Sequence, residues 1–149
     1  MIYIGADHRG YVLKEEIKKY LEELKLPTED LGNSTHDTND DYPDFASLVA
    51  GKVGERPNEH RGVLICGSGI GIAIAANKFN GVRCGLCLSG WMAEMGRRDD
   101  DINVLALAAD ITDVATARRI VESFLKTPFS GEVRHQRRVE KITRLEERE

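Results

Sequence analysis

Short apolar runs alternate with longer amphipathic stretches along the whole chain. Residues 2–6, IYIGA, are apolar with β-branched side chains, which predicts a buried strand. After the polar DHRG, apolar residues fall at Leu13, Ile17, Tyr20, Leu21 and Leu24. This spacing marks one face of a helix over about residues 11–25, with Pro27 as its stop. TEDLG reads as a short strand and NSTHDTNDDYPD as a polar, turn-rich loop. A second helix is expected from about Asp44 to Val53, with Phe45, Leu48, Val49 and Val53 on its apolar side. GVLIC, residues 62–66, is the strongest strand, and it runs through GSGIG into the helix IAIAANKF. CGLCL is the next strand, WMAEMGRR a helix, and NVLALAA a strand. TDVATARRIVESFLKT is a helix with Thr112 as its expected N-cap. TPFSGEV is a loop, and RHQRRVEKITRLEERE a charged helix with Val139, Ile142 and Leu145 as its apolar stripe.

Strands that alternate with helices predict an α/β fold. The expected architecture is a doubly wound, mostly parallel five-stranded sheet of Rossmann-like form, in one domain over residues 1–149. In such folds a ligand sits beyond the carboxyl ends of the strands. Two polar segments lie there: DHRG after the first strand and CGSGIG after the third.

Composition narrows the function classes. The 149 residues include 21 Lys plus Arg against 25 Asp plus Glu, a formal net charge of -4. That balance disfavours a general nucleic-acid or anionic-membrane binder. No apolar run approaches the roughly 20 residues needed to span a bilayer, and MIYIGADHRG does not read as a secretory leader. Three cysteines are too few for a disulfide scaffold, so reduced thiols and a cytoplasmic location are expected.

Cys66 closes a strand, and Gly67, Ser68, Gly69 and Gly71 lead into a helix. Glycines allow a sharp turn that leaves backbone N–H groups free to stabilise an anion and to activate a neighbouring thiol. Three rival loops fail on the text. A dinucleotide fingerprint needs Gly where Ile72 stands, a P-loop needs a terminal G-K-[ST], and a cysteine phosphatase needs Arg where Ile72 stands. A cysteine facing a nest of amide donors suits proton abstraction beside a carbonyl, since the donors hold the developing enediolate. A buried structural cysteine beside a tight turn is the alternative.

Asp7 and His8 follow the first strand, at the same edge of the sheet. His8 can donate to a phosphate or sugar oxygen, with Asp7 to orient it. Arg134 and Arg138 are four apart on the terminal helix, and a pair of guanidinium forks suits phosphate, although a solvated face is the commoner role of such a pair. Cys84 and Cys87 form a C-x-x-C, but residues three apart on a strand face opposite ways, so one metal does not take both. The acidic loop with Asp37, Asp40, Asp41 and Asp44 lacks calcium-loop spacing and reads as solvated. Trp91, Met92 and Met95 read as core or interface.

These residues together resemble the type B ribose 5-phosphate isomerases and the related galactose 6-phosphate isomerase subunits. The likeness covers Asp7, His8 and Gly10, the DYP of Asp41 to Pro43, ICGSGIGIAIAANK from Ile65 to Lys78, NVLAL, and RHQRRV. The resemblance implies a cofactor-free and metal-free aldose–ketose isomerisation through a cis-enediol, with ribose 5-phosphate and ribulose 5-phosphate as the expected pair. It implies that Cys66 is the base and that Ser68 stands at the family's Thr or Ser position. Gly67, Ser68, Gly69, Ile70 and Gly71 would form the anion hole. Asp7, His8 and Tyr42 would contact the sugar, and Arg134 and Arg138 the phosphate. It also implies homodimers, often paired into tetramers, with active sites shared between subunits.

Three departures stand out. Asp99 and Asp100 occupy the places of a His-Asn pair, whose His opens the sugar ring. Asp99 could replace it only with a raised pKa, for which the nearby Asp100 and Asp101 are the expected cause. Asp110 stands where the family often has an Arg that reaches phosphate from the partner subunit. Such a swap is worth several kcal/mol at an effective dielectric of about 20. Arg97 and Arg98 are candidates to restore the charge. Glu132-Val133 also lengthens the loop before Arg134 by one residue. Two alternatives stay open. One is an isomerase of another sugar phosphate, such as an open-chain tetrose phosphate that needs no ring opening. The other is a catalytically impaired sugar-phosphate-binding homologue.

Overall fold

The apolar runs become five strands in the computed structural model, which describes residues 1–148. These are β1 (Ile2–Ala6), β2 (Thr28–Asp30), β3 (Arg61–Cys66), β4 (Cys84–Leu86) and β5 (Val104–Ala108). They form one sheet in the order β2-β1-β3-β5-β4, with every adjacent pair parallel. β1 and β5 are buried along their whole length, and β3 from its second residue onward. That is why all three read as nearly continuous apolar runs.

Six helices connect and cover the strands: α1 (Tyr11–Glu23), α2 (Tyr42–Glu55), α3 (Ile70–Ala76), α4 (Gly90–Asp100), α5 (Val114–Lys126) and α6 (Val133–Arg144). On one face Leu13, Ile17 and Leu21 of α1, Ala93 of α4, and Ile120 and Phe124 of α5 pack on Ile4, Ile65 and Leu107. On the other, Ala46, Val49 and Val53 of α2 and Ile72 and Ala76 of α3 pack on Tyr3, Leu64 and Ala106. Cys87 joins the first layer and Cys84 packs against the second, so the C-x-x-C does point to opposite faces.

Several expectations need correction. α1 ends at Glu23, because Lys25 turns the chain at φ 55° two residues before Pro27. Asp113, not Thr112, caps α5: its carboxylate accepts the Thr116 N–H at 2.7 Å. α2 begins at Tyr42, with Pro43 in its first turn, where a missing N–H costs nothing. Leu48 is not core but 51% exposed, and at 68% exposure Trp91 keeps only the interface half of its expected core-or-interface role. In α6 the buried residue is His135, while Ile142 remains exposed, as does Leu145 just beyond the helix.

The sheet order places the ligand crevice. β2 lies on one side of β1 and β3 on the other, so the chain reverses its direction of growth between β1 and β3. The loop after β1 therefore leads to α1 on one face and the loop after β3 to α3 on the other, which places the site at the carboxyl ends of these two strands.

Candidate active site

The two loops meet at that crevice. The Asp7 N–H donates to Ile65 O at 3.3 Å, and Gly10 packs so close that a Cβ there would lie 2.5 Å from the same oxygen. The Asp7 carboxylate is buried and accepts the N–H groups of Arg9 and Gly10, both on Oδ1, at 3.0 and 3.1 Å. It shapes the loop rather than orienting His8. That second task falls to Asp40: its Oδ1 accepts the His8 N–H and meets His8 Nδ1, each at 2.8 Å. This hydrogen bond is the main reason the His8 pKa lies above its ordinary value of 6.5.

Cys66 ends β3 at this edge and is buried, 4% exposed. Its Sγ accepts the Gly69 N–H at 3.1 Å. Gly69 holds that amide in place at φ 73°, a conformation that favours glycine. Ser68 is exposed, and its Oγ accepts the Ile70 N–H at 3.2 Å. Tyr42 reaches the same loop: a Cβ on Gly71 would lie 2.6 Å from its ring. The structure thus brings Asp7, His8, Tyr42 and the Cys66–Gly71 loop to one edge.

Two further residues belong to this edge. The Arg9 guanidinium lies over Gly67, where it leaves no room for a side chain, and it pairs with Asp110. Asp110 follows β5, and its N–H donates to Gly67 O at 3.0 Å, so it lies at its own chain's site. Asp40 is more than part of a solvated loop. Its signal was its place two residues before Tyr42; that of Arg9 was its position between His8 and Gly10.

Arg134 and Arg138 do not join this edge of the same chain. α6 is held where the strands begin. Ser130 N–H donates to Arg98 O, His135 Nε2 lies 3.5 Å from Asp99, and Glu146 accepts the Gly81 N–H just before β4. Cys66 pairs with Ala108, at the far end of β5. The two ends lie roughly 13 Å apart at about 3.3 Å per residue. Both arginines are exposed, and Arg134 pairs with Glu132 at 3.0 Å. A cavity of about 780 Å³ opens at the end where the strands begin, lined in part by Asn77, Arg83, Asp100, Ile142 and Arg148.

The expected rise in the Asp99 pKa does not occur. The Arg98 hydrogen bond, with smaller help from His135 and Arg134, lowers it, while Asp101 turns away to Arg83 and Arg97. Arg97 supplies no free cation, because it is buried and donates to Asp101 and to the carbonyls of Ile102 and Thr127. Burial pushes the Cys84 thiol far up and the Cys87 thiol to about 11. Among the described residues, no group of three or more His, Cys, Asp or Glu is placed to hold a metal ion. No helix is long and apolar enough to cross a membrane among them.

Residues 2–142 match the family described as Ribose/Galactose Isomerase. The chain is 44% identical over 145 residues to the probable ribose-5-phosphate isomerase B of Mycoplasma genitalium, covering 97% of this chain and 95% of that protein. It is 41% identical over 147 residues to ribose-5-phosphate isomerase B of Escherichia coli, covering 99% and 97%. The crystal structure of the Mycoplasma genitalium enzyme with bound ribulose-5-phosphate superposes with a TM-score of 0.96 at 43% identity, covering 99% and 97% of the two chains. Ribose-5-phosphate isomerase B of Clostridium thermocellum gives 0.93 at 42%, covering 98% and 97%. With the match spanning nearly its whole length, the chain belongs to the ribose/galactose isomerase family of sugar-phosphate isomerases.

Proposed function

We propose that the chain interconverts ribose 5-phosphate and ribulose 5-phosphate through a cis-enediol, with Cys66 as the base. The observation that carries this reading is the placement of Cys66 Sγ, 3.1 Å from the Gly69 amide, at the edge shared by Asp7, His8 and Tyr42. The Cys66 thiolate takes the proton from C2 of the open-chain aldose. The electron pair moves to the carbonyl oxygen at C1, and N–H groups of the 67–71 loop stabilise the enediolate. Transfer of the C2 hydroxyl proton to the oxygen on C1, with return of the proton from Cys66 to C1 as the C2 carbonyl forms, gives the ketose. The exchange is redox-neutral within one molecule. Asp7, His8 and Tyr42 contact the sugar.

Arg134 and Arg138 serve the phosphate from a second copy of the chain, since their own Cys66 lies across the length of the sheet. The working form is accordingly a homodimer or a homotetramer. The Mycoplasma genitalium relative, with ribulose-5-phosphate bound in its crystal structure, supports the choice of substrate.

The test is turnover by the parent and by Cys66→Ala in heavy water. Loss of turnover with retained ligand binding, and deuterium in the product of the parent, support the reading. Full activity in the variant rejects it.

One observation favours a second reading. Asp99 is held ionised by Arg98, which disqualifies it as an acid for ring opening. A tetrose 4-phosphate cannot close a furanose and needs no such group. Comparing kcat/KM for erythrose 4-phosphate and ribose 5-phosphate decides between them, and a clear preference for ribose 5-phosphate rejects the open-chain substrate.

A further inference from the structure

The crevice that should receive a dianion is lined with carboxylates. Asp7, Asp40 and Asp110 all stand at it, and Arg9 is the one permanent cation among the side chains named there. Lys14, whose helix follows the first loop, is fully buried and committed to Asp30 and to Asn33 O. Arg97 is buried in the opposite end of the sheet. A phosphorylated substrate bound at this edge therefore has Arg9 as its counter-charge from the chain that supplies Cys66.

The geometry points to Arg9 as a phosphate-binding residue of this site, with Asp110 as the counter-ion that holds it in place when no ligand is bound. Arg9 is anchored at its backbone, where its N–H bonds the buried Asp7. Its side chain is 54% exposed and that of Asp110 44%. An ion pair this exposed is weak and easily exchanged. A phosphoryl dianion carries twice the charge of the carboxylate and fits the planar guanidinium fork. Asp110 itself is fixed by its N–H to Gly67 O, so it keeps the guanidinium over the glycine loop without closing the site permanently. The anion at position 110, which by itself would repel a phosphate, is thereby neutralised by its own chain.

This inference rests on the sugar-phosphate reading, so the experiment separates the two. Binding of inorganic phosphate is measured by titration calorimetry on the full-length parent, Arg9→Ala, Arg9→Gln and Asp110→Asn. Ribose 5-phosphate kinetics are recorded in parallel. Loss of a charge-assisted contact predicts phosphate binding weakened by about tenfold or more in both Arg9 variants. KM should rise comparably, with kcat within about threefold of the parent, as for lost uniform binding. Asp110→Asn removes the competing carboxylate and tightens phosphate binding by a few-fold. Unchanged phosphate affinity in both Arg9 variants overturns the proposal. So does a fall in kcat at constant KM, which would place Arg9 at the reacting carbons instead. If the parent turns over no sugar phosphate while the Arg9 variants still lose phosphate binding, the isomerase reading fails and the Arg9 assignment stands. The Gln variant keeps most of the side-chain volume and guards against loss of folding in the Ala variant.

Discussion

His8 and Asp40 meet twice, through the backbone N–H and the ring Nδ1 of the histidine, both on one carboxylate oxygen at 2.8 Å. The contact spans 32 residues and ties the loop before α2 to the loop after β1. It favours the protonated ring, so the folded-state pKa lies above 6.5. The resulting stability is fully present below about pH 6.5 and is lost as pH rises through the higher folded value. Asp40→Asn should bring the His8 titration, followed by NMR, down toward its ordinary value. It should also flatten the pH dependence of stability across that window. An unmoved titration would contradict the pairing.

Lys14 is fully buried, 2.9 Å from Asp30 Oδ2 and 2.7 Å from Asn33 O. Burial by itself would raise the Asp30 pKa, but Lys18 and then Lys14 outweigh it and hold the carboxyl below 3.8. Stability from this pair is present above pH 3.8 and disappears as pH falls through the lower folded value. Lys14→Met removes one partner of a buried pair and should cost about 3 kcal/mol, read from the urea midpoint at constant m. A midpoint equal to the parent's would show that Lys18 alone suffices.

Two glycines with positive φ provide an internal comparison. Gly69→Ala forces an alanine to φ 73° and sets its Cβ against the Leu86 side chain and 3.1 Å from the Leu107 carbonyl. Gly131→Ala incurs only the backbone strain at φ 66°, because nothing lies within 4 Å. The first should cost about 2–3 kcal/mol and displace the amide that faces Cys66; the second about 1 kcal/mol. Thermal melts of the two variants check the order.

Thiol labelling tests whether burial protects Cys84 and Cys87. With its pKa near 11, Cys87 is about one part in ten thousand thiolate at pH 7, and burial pushes Cys84 further. Neither should react with iodoacetamide at neutral pH until the chain is unfolded. Mass spectrometry of the native protein after labelling would show modification at either position if burial does not protect them.

Strands and helices were legible because burial on both faces writes continuous apolar runs, and burial on one face writes a helical stripe. IYIGA, GVLIC and NVLALAA became the three inner strands for that reason. The site was legible where it is local: Cys66 and its glycines are contiguous, and Asp7 and His8 lie side by side. Links between distant segments were not. Nothing in the text joins Asp40 to His8 or Arg9 to Asp110, a pair 101 residues apart. The charge state of Asp99 is not legible either: neighbouring carboxylates suggest repulsion, whereas the fold turns Asp99 toward Arg98 and Asp101 toward Arg83 and Arg97. The position of α6 depends on docking by His135 and Glu146, which no periodicity records.

The sheet order has a consequence during synthesis. β3 borders β1 on one side and β5 on the other, and β4 touches only β5. When Cys66 has left the ribosome, 42 further residues must follow before Ala108 completes the partner strand. At about 5–20 residues per second that interval is roughly two to eight seconds. Throughout it, Val63, Leu64 and Ile65 present an unpaired apolar edge, which invites pairing with other chains. A pause in translation within this interval would leave the nascent protein at its most dependent on chaperones.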